Sequence, residues 1–312
     1  MNKIVKAVAP YTHPNFSNFK TAPYESWVKS GGQTAKTHYP LRLLRSLAYK
    51  YELPSIWENK REVRLRFVSG YSIRFDTYPD YAFYEIIPVI WDCWPPLINN
   101  CANFLRKHKV KTAIFTSSQT AERIQMLLPK LRVIIITEGV DLSLYNKGEQ
   151  LNKREIDILE IGRKNGNFFK TPLSLKLNHI KTGNFTRIFK TDEDFRAALA
   201  NTKITINVPR CDVDKKTAGD IETLTQRYWE CMLSRVVMVG RAPKELTNLI
   251  GYNPVIDWDG YDATPLVTAI MENISDYQTL VDKNFETALR MASWDLRIKQ
   301  IIDSLLKEGY RI

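Results

Sequence analysis

The chain predicts two α/β units with a cleft between them, and three observations carry this. Its 312 residues exceed one ordinary domain. Short β-branched apolar runs alternate with amphipathic segments, the pattern of parallel strands buried on both faces by helices. A polar stretch over residues 142–154 interrupts that alternation and reads as a linker, dividing the chain into 1–148 and 149–312.

The first strand is expected at 4–8. Ser30-Gly31-Gly32-Gln33-Thr34 then precedes an amphipathic helix over about 37–51, where Leu41, Leu44, Leu47 and Ala48 recur at helical spacing. Alternation over 64–75, broken at Ser69-Gly70, predicts a hairpin or two short strands. Strands at 86–91, 112–116 and 133–136 alternate with helices at 96–108 and 119–128, the latter capped by Ser117 or Ser118. In the second half, strands are expected at 156–161, 204–208, 236–239 and 255–258. Helices are expected at 192–200, from about Leu224 onward, at 243–250 and through 263–308.

Composition limits the function classes. No window approaches the ~18 consecutive apolar residues of a membrane span, and the start lacks the pattern of a signal peptide, so a soluble cytoplasmic protein is expected. Cys93, Cys101, Cys211 and Cys231 are scattered without metal or disulfide spacing, and the four histidines are equally dispersed. The net charge of +11 is uneven, with 21 Lys and Arg against 11 Asp and Glu through Gly148. A basic first half suits a phosphorylated acceptor, an anionic membrane surface at the inner face or nucleic acid, or serves solubility alone.

The most informative segment runs from Gly219 to Gly240. Thr223 and Gln226 have capping-box spacing, which starts a helix near Leu224 and turns the free N–H groups of Leu224 and Thr225 toward an anion such as a diphosphate. Arg227 adds a permanent positive charge. Glu222 and Glu230 would lie roughly 12 Å apart along the axis at ~1.5 Å per residue, a span that fits the sugar and ribose ends of a nucleotide sugar. Both are also readable as solvated helix charges, with Arg227 an intrahelical partner for either. Gly162-Arg163-Lys164 and Pro209-Arg210 also follow strands, and glycine with basic side chains suits close approach to phosphate.

From Ile156 onward the chain resembles the C-terminal domain of the group-one glycosyl transferases, enzymes of the GT-B fold with two facing Rossmann-like domains. The residues that carry it are Ile-Gly-Arg at 161–163, Asn-Val-Pro-Arg at 207–210, Thr-Leu-Thr-Gln-Arg-Tyr-Trp-Glu at 223–230 and Pro-Lys-Glu-Leu-Thr-Asn-Leu-Ile-Gly-Tyr-Asn-Pro-Val-Ile at 243–256. Val-Ile-Trp-Asp-Cys-Trp-Pro at 89–95, Phe-Thr-Ser-Ser-Gln-Thr at 115–120 and Thr-Glu-Gly-Val-Asp at 137–141 look similar to segments of the first domain.

The resemblance implies a hexosyltransferase-like enzyme that moves a sugar from a nucleotide-sugar donor to a glycan, lipid-linked or other acceptor without a metal or other cofactor. It places Glu230 on the donor ribose, Glu222 on the transferred sugar, and Arg163 and Lys164 on the diphosphate. Many members keep that lysine several residues further on. The family also places a glycine pair, here Gly31 and Gly32, before the first long helix where the loop meets donor or acceptor; a flexible turn is the plain alternative. Asp92 and Glu138 follow strands of the first domain and are the candidate carboxylates for acceptor activation, with Asp92 also readable as a helix cap; His13 and His38 are further candidate bases. A nucleotide-sugar epimerase shares the fold and stands as an alternative. So does a nucleic-acid-binding protein, because Tyr49, Tyr51, Trp57 and Phe67 interleave with Arg61, Arg64 and Arg66.

Overall fold

A computed structural model describes residues 3–10, 20–36, 50–51, 54–55, 59–162, 167–173, 176–181 and 188–312. The helix expected over about 37–51 falls almost wholly outside them, as do His13, His38, Tyr49, Trp57, Arg163 and Lys164. The chain forms two compact units, one of Met1–Glu138, Thr217–Ile221 and Trp294–Ile312, the other of Gly139–Lys216 and Glu222–Ser293.

The first unit contains β1 (Ile4–Val8), α1 (Thr21–Lys29), β2 (Thr34–Ala35), β3 (Asn59–Ser69), β4 (Tyr84–Trp91), α2 (Pro95–Lys107), β5 (Thr112–Phe115), α3 (Ser118–Leu127) and β6 (Arg132–Ile135). Its six strands run β2-β1-β3-β4-β5-β6, with every pairing parallel. Val63, Leu65, Phe67, Ile87 and Val89 are buried in its core. Serine caps α3 as expected: the Ser117 hydroxyl accepts from the Thr120 N–H.

The second unit contains β7 (Ile156–Glu160), β8 (His179–Lys181), α4 (Asp192–Ala200), β9 (Thr202–Asn207), α5 (Gln226–Leu233), β10 (Val237–Gly240), α6 (Lys244–Ile250) and β11 (Ile256–Asp257). Its five strands, also all parallel, run β11-β10-β9-β7-β8. The Thr191 hydroxyl and Asp194 carboxylate form a capping box at the start of α4, which spans the predicted residues. The apolar face of α5 places Trp229, Met232 and Leu233 in the core, so packing as well as propensity holds this helix.

Three expectations are corrected here. No hairpin forms over 64–75, because β3 continues as one strand to Ser69 and a short helix, Ile73–Thr77, follows. Gly70 turns the chain, donating its N–H to the Trp91 carbonyl at 2.7 Å. The basic-aromatic interleaving does not form a surface at Arg64, Arg66 and Phe67. Arg64, Arg66 and Phe67 are buried, and the arginines face Glu62 at 2.8 Å and Asp80 at 3.1 Å, so their charge is met inside the protein.

The division at 148/149 also differs from the observed one. Residues 142–154 pack on the second unit, where buried Arg154 donates to the carbonyls of Lys147, Glu149, Thr202 and Ser234. Gly148, at φ 63°, lies so close to Ala200 that an added Cβ would fall 2.0 Å from its carbonyl oxygen. The last helix, α7 (Trp294–Lys307), returns to the first unit and buries Ile298, Ile301 and Leu305 with Val5, Leu65 and Ile87. Backbone bonds from Val5 to Arg311 and from Arg311 to Lys3 join the two chain ends there.

Candidate functional site

In open parallel sheets, ligands bind beyond the carboxyl ends of strands, where the strand order reverses. In the second unit the order reverses between β7 and β9. Gly162 follows the end of β7, with φ 147°. Beyond β9, Pro209 leads into a short helix that starts at Arg210, whose guanidinium donates to Asp214 at 3.2 and 3.3 Å. Two of the predicted phosphate-binding positions therefore flank the reversal point, while Arg163 and Lys164 lie outside the described residues.

The segment between Glu222 and Glu230 is built differently from its prediction. Thr223 does not cap a helix: its hydroxyl donates to Glu245 at 3.1 Å, and the Leu224 N–H donates to the same carboxylate oxygen at 2.7 Å. Helix α5 consequently starts two residues later, with Thr225 at its N-cap and no side-chain bond from it. Leu224 is fully buried. The spacing argument that put Glu222 on the helix axis thus fails, because a carboxylate from α6 competes for Thr223.

Glu222 accepts from the Arg241 guanidinium and from the Lys244 N–H at the start of α6. Arg241 also grips Asp212 through two bonds of 2.9 Å, and these two carboxylates, Asp212 foremost, raise its guanidinium further above its ordinary value. The Arg241 N–H donates to the Asn207 carbonyl at 2.8 Å, which ties the ends of β9 and β10 together. Arg241 is the member of this cluster that the sequence reading did not include. Its signal was present, since Gly240-Arg241 repeats after β10 the glycine-arginine pair already noted after β7.

Glu230 lies in the second turn of α5. One of its oxygens accepts from the Tyr145 hydroxyl at 2.9 Å and the other from Arg227 Nε at 3.0 Å. Burial first, and the Glu230 charge second, push the Tyr145 hydroxyl far above its ordinary value, so it stays protonated as the donor. The Arg227 guanidinium also lies 5.7 Å from the Phe195 ring centre. Each Glu230 oxygen keeps a further lone pair.

In the first unit, Asp92 ends β4 at φ 54°. Lys109 and Arg235 share positive φ, but each follows a helix and closes it with two backbone bonds, the ordinary reason for such a conformation. Asp92 has no such reason, because it follows a strand. The N-cap position of α2 is Trp94. Gly70 packs on the same turn, where an added Cβ would come within 2.7 Å of the Cys93 Cα. Backbone held in this sparsely populated region is characteristic of functional turns. Glu138, partly buried, follows β6 by three residues.

Gly31 and Gly32 have a structural account. They follow α1 and close it in a Schellman motif: Gly31, at φ 77°, donates to the Val28 carbonyl and Gly32 to that of Trp27. A Cβ on Gly32 would lie 2.3 Å from the Trp27 indole nitrogen. Gly31→Ala, with nothing within 4 Å of the added methyl, should cost about 1 kcal/mol through its left-handed backbone. Urea denaturation measures that loss, and nucleotide binding should be unchanged.

No protein-family model matches the chain, and neither does any curated protein. Solved structures do. Alr3699/HepE of Anabaena, crystallised in complex with UDP and glucose, is similar over 98% of this chain and 100% of its own, with 10% identity and a TM-score of 0.58. Sucrose-phosphate synthase from Thermosynechococcus elongatus gives 0.57 at 11% identity, covering 98% and 99%. AviGT4, a glycosyltransferase of avilamycin A biosynthesis, gives 0.53 at 10% identity, covering 99% and 98%. The fold is GT-B. Both parallel sheets are accounted for by it as Rossmann-like units, and the epimerase alternative draws no support from these neighbours.

Proposed function

We propose that this protein is a glycosyltransferase, hexosyltransferase-like, taking a nucleotide sugar as donor and a glycan, lipid-linked or other molecule as acceptor. The observation that carries this reading is the rim of the second sheet. Gly162, Arg210, Arg241 and the Glu230-bearing helix all follow the carboxyl ends of β7, β9 and β10, inside a unit of GT-B fold. One neighbour was crystallised with UDP and glucose and another is named a glycosyltransferase, which supports the same class.

Transfer of a sugar leaves a nucleoside diphosphate, whose growing charge must be met. Arg210, Arg227 and the N-terminal end of α5 would meet it, joined by Arg163 and Lys164. Glu230 would accept from the ribose hydroxyls through its remaining lone pairs, while Tyr145 and Arg227 hold the carboxylate in place. Glu222 would face the transferred sugar, and the same carboxylate, by holding Arg241 and the start of α6, would keep the strand ends in register. Asp92, in its constrained turn, or Glu138 would orient or deprotonate the acceptor. Metal independence is part of the proposal, since this charge is met by side chains and helix N–H groups.

A thermal-shift screen across nucleoside diphosphates and their sugars tests the reading. A binding nucleotide at 100-fold over its Kd stabilises the folded state by about 2.7 kcal/mol. Release of nucleoside diphosphate should then persist in a chelator. If no nucleotide raises the melting temperature, the donor assignment is wrong. Glu222→Gln should lower turnover about tenfold with little change in nucleoside diphosphate affinity, the result of losing one transition-state contact worth about 1.4 kcal/mol. A fully active variant would move the sugar contact elsewhere.

A further inference from the structure

At the opposite end of the first sheet from Asp92 and Ser117, the chain forms an open groove of about 700 Å³. It is bounded by the C-terminal ends of α2 and α3 and by the segments that lead into β5 and β6. Leu105, Val110, Leu128 and Leu131 give it an aliphatic floor, and Arg106, Lys109, Lys111, Lys130 and Arg132 line it as cations. No carboxylate is among its lining residues.

Little of that charge is neutralised. Arg132 pairs with Glu308 at 2.5 Å and Lys111 stands 3.7 Å from Glu85, but among the described residues Arg106 donates to the Asn103 side chain and the Leu127 carbonyl and to no carboxylate. Among the described residues neither Lys109 nor Lys130 has a carboxylate partner. Lys109 stands at φ 49°, a helix-ending position that glycine fills with less strain. Arg235 occupies the same kind of position and uses its charge on Asp282, whereas Lys109 keeps its charge for solvent.

Apolar side chains of the first unit are also exposed outside the groove. Met126 is 78% exposed and Leu306 51% exposed, and a second groove of about 420 Å³ between α3 and β6 is lined by Met126, Val133 and Ile135, with Glu122 its one acid. An aliphatic floor with a cationic rim matches an anionic amphiphile, acyl chain against leucine and headgroup against lysine. Nucleic acid fits it poorly. Stacking needs exposed rings, and the single aromatic residue in the groove, Tyr310, has its hydroxyl 3.0 Å from that of Thr112.

We propose that this groove docks the first unit on an anionic phospholipid bilayer. The inference stands on the first unit alone and does not depend on the donor reading. It is tested by co-sedimentation of the full chain with phosphatidylcholine vesicles, with and without one third phosphatidylglycerol. Binding is expected only to the anionic vesicles and should weaken steeply with salt. The exposed triple variant Lys109→Glu, Lys111→Gln, Lys130→Glu, neutral at 111 because Glu85 is buried beside it, should lower partitioning by at least about 100-fold, roughly fivefold for each cation lost at the surface.

Its melting temperature, and any nucleotide-induced shift, should match the parent protein, which separates this outcome from failure of the fold or of the donor site. The exposed change Met126→Ser should lower partitioning several-fold while leaving the salt dependence intact. Equal binding to both vesicle types, or undiminished binding by the triple variant, would overturn the proposal. So would inorganic phosphate at millimolar concentration abolishing vesicle binding, or retention of a polyuridylate RNA by the parent and not the triple variant in the absence of vesicle binding.

Discussion

Glu230→Ala is expected to weaken donor-nucleotide binding by about 10- to 100-fold, because hydrogen bonds to a charged acceptor are worth about 1.5–3 kcal/mol and each 1.4 kcal/mol is tenfold. The carboxylate is already held on both sides, by the Tyr145 hydroxyl and by Arg227. That clamping aims its remaining lone pairs before a ligand arrives, so little ordering cost is left for binding. Removing it also deprives a half-buried hydroxyl and a guanidinium of their partner. Tyr145→Phe separates the two effects: it loosens the clamp and leaves the carboxylate, and should cost affinity no more than several-fold. Calorimetry with the stabilising nucleoside diphosphate reads both variants. Unchanged affinity in Glu230→Ala would remove the ribose role, and equal losses in the two variants would make Glu230 a strut for Tyr145 instead of a ligand.

Much of this site was legible because strand ends are legible. Runs such as Ile204-Thr205-Ile206 and Val237-Met238-Val239 can only be buried strands, and in a parallel sheet whatever follows them stands at the ligand-binding edge. The positions of Gly162 and Arg210 were read in that way, and that of Glu230 from the spacing after Thr223. The errors came from side chains whose partners a composition or spacing pattern does not specify. Thr223 has capping-box spacing, yet Glu245 takes its hydroxyl, and no local pattern reveals that competition.

Arg64 and Arg66 read as a basic surface until Glu62 and Asp80 are seen beside them. The polar residues 142–154 resemble a linker in composition, but Arg154 fastens them to the rest of the second unit through the carbonyls of Thr202 and Ser234, and folds the segment on itself through those of Lys147 and Glu149. Helix α7 gave no sequence sign of belonging with β1, because its partners lie almost the length of the chain away. Gly31 and Gly32 were visible as turn formers, and only the bonds back to Val28 and Trp27 show that they close a helix.

The second large effect is expected from one methyl group at the rim. Gly240 ends β10 at φ 141°, and an ideal Cβ there would stand 2.0 Å from the Asn207 carbonyl oxygen and 2.8 Å from its carbon. Neither atom can retreat easily. That carbonyl accepts from the Arg241 N–H, and the Asn207 side chain is tied inside the core to Thr205 at 2.5 Å and to the Cys231 sulfur at 3.5 Å. Gly240→Ala should therefore combine backbone strain of about 1–3 kcal/mol with an overpacking cost of about 1–3 kcal/mol.

Gly251→Ala is the matched control, because Gly251 closes α6 at φ 79° with nothing within 4 Å of the added methyl, and about 1 kcal/mol is expected. Urea denaturation of the pair measures the difference. Relief of the clash would part the ends of β9 and β10 and shift Arg241 from Glu222 and Asp212, so donor affinity should fall with Gly240→Ala and hold with Gly251→Ala. Equal stability losses would show that close approach of the two strands is not what requires glycine at 240. A large stability loss with intact donor affinity would detach Arg241 and its carboxylates from the donor site.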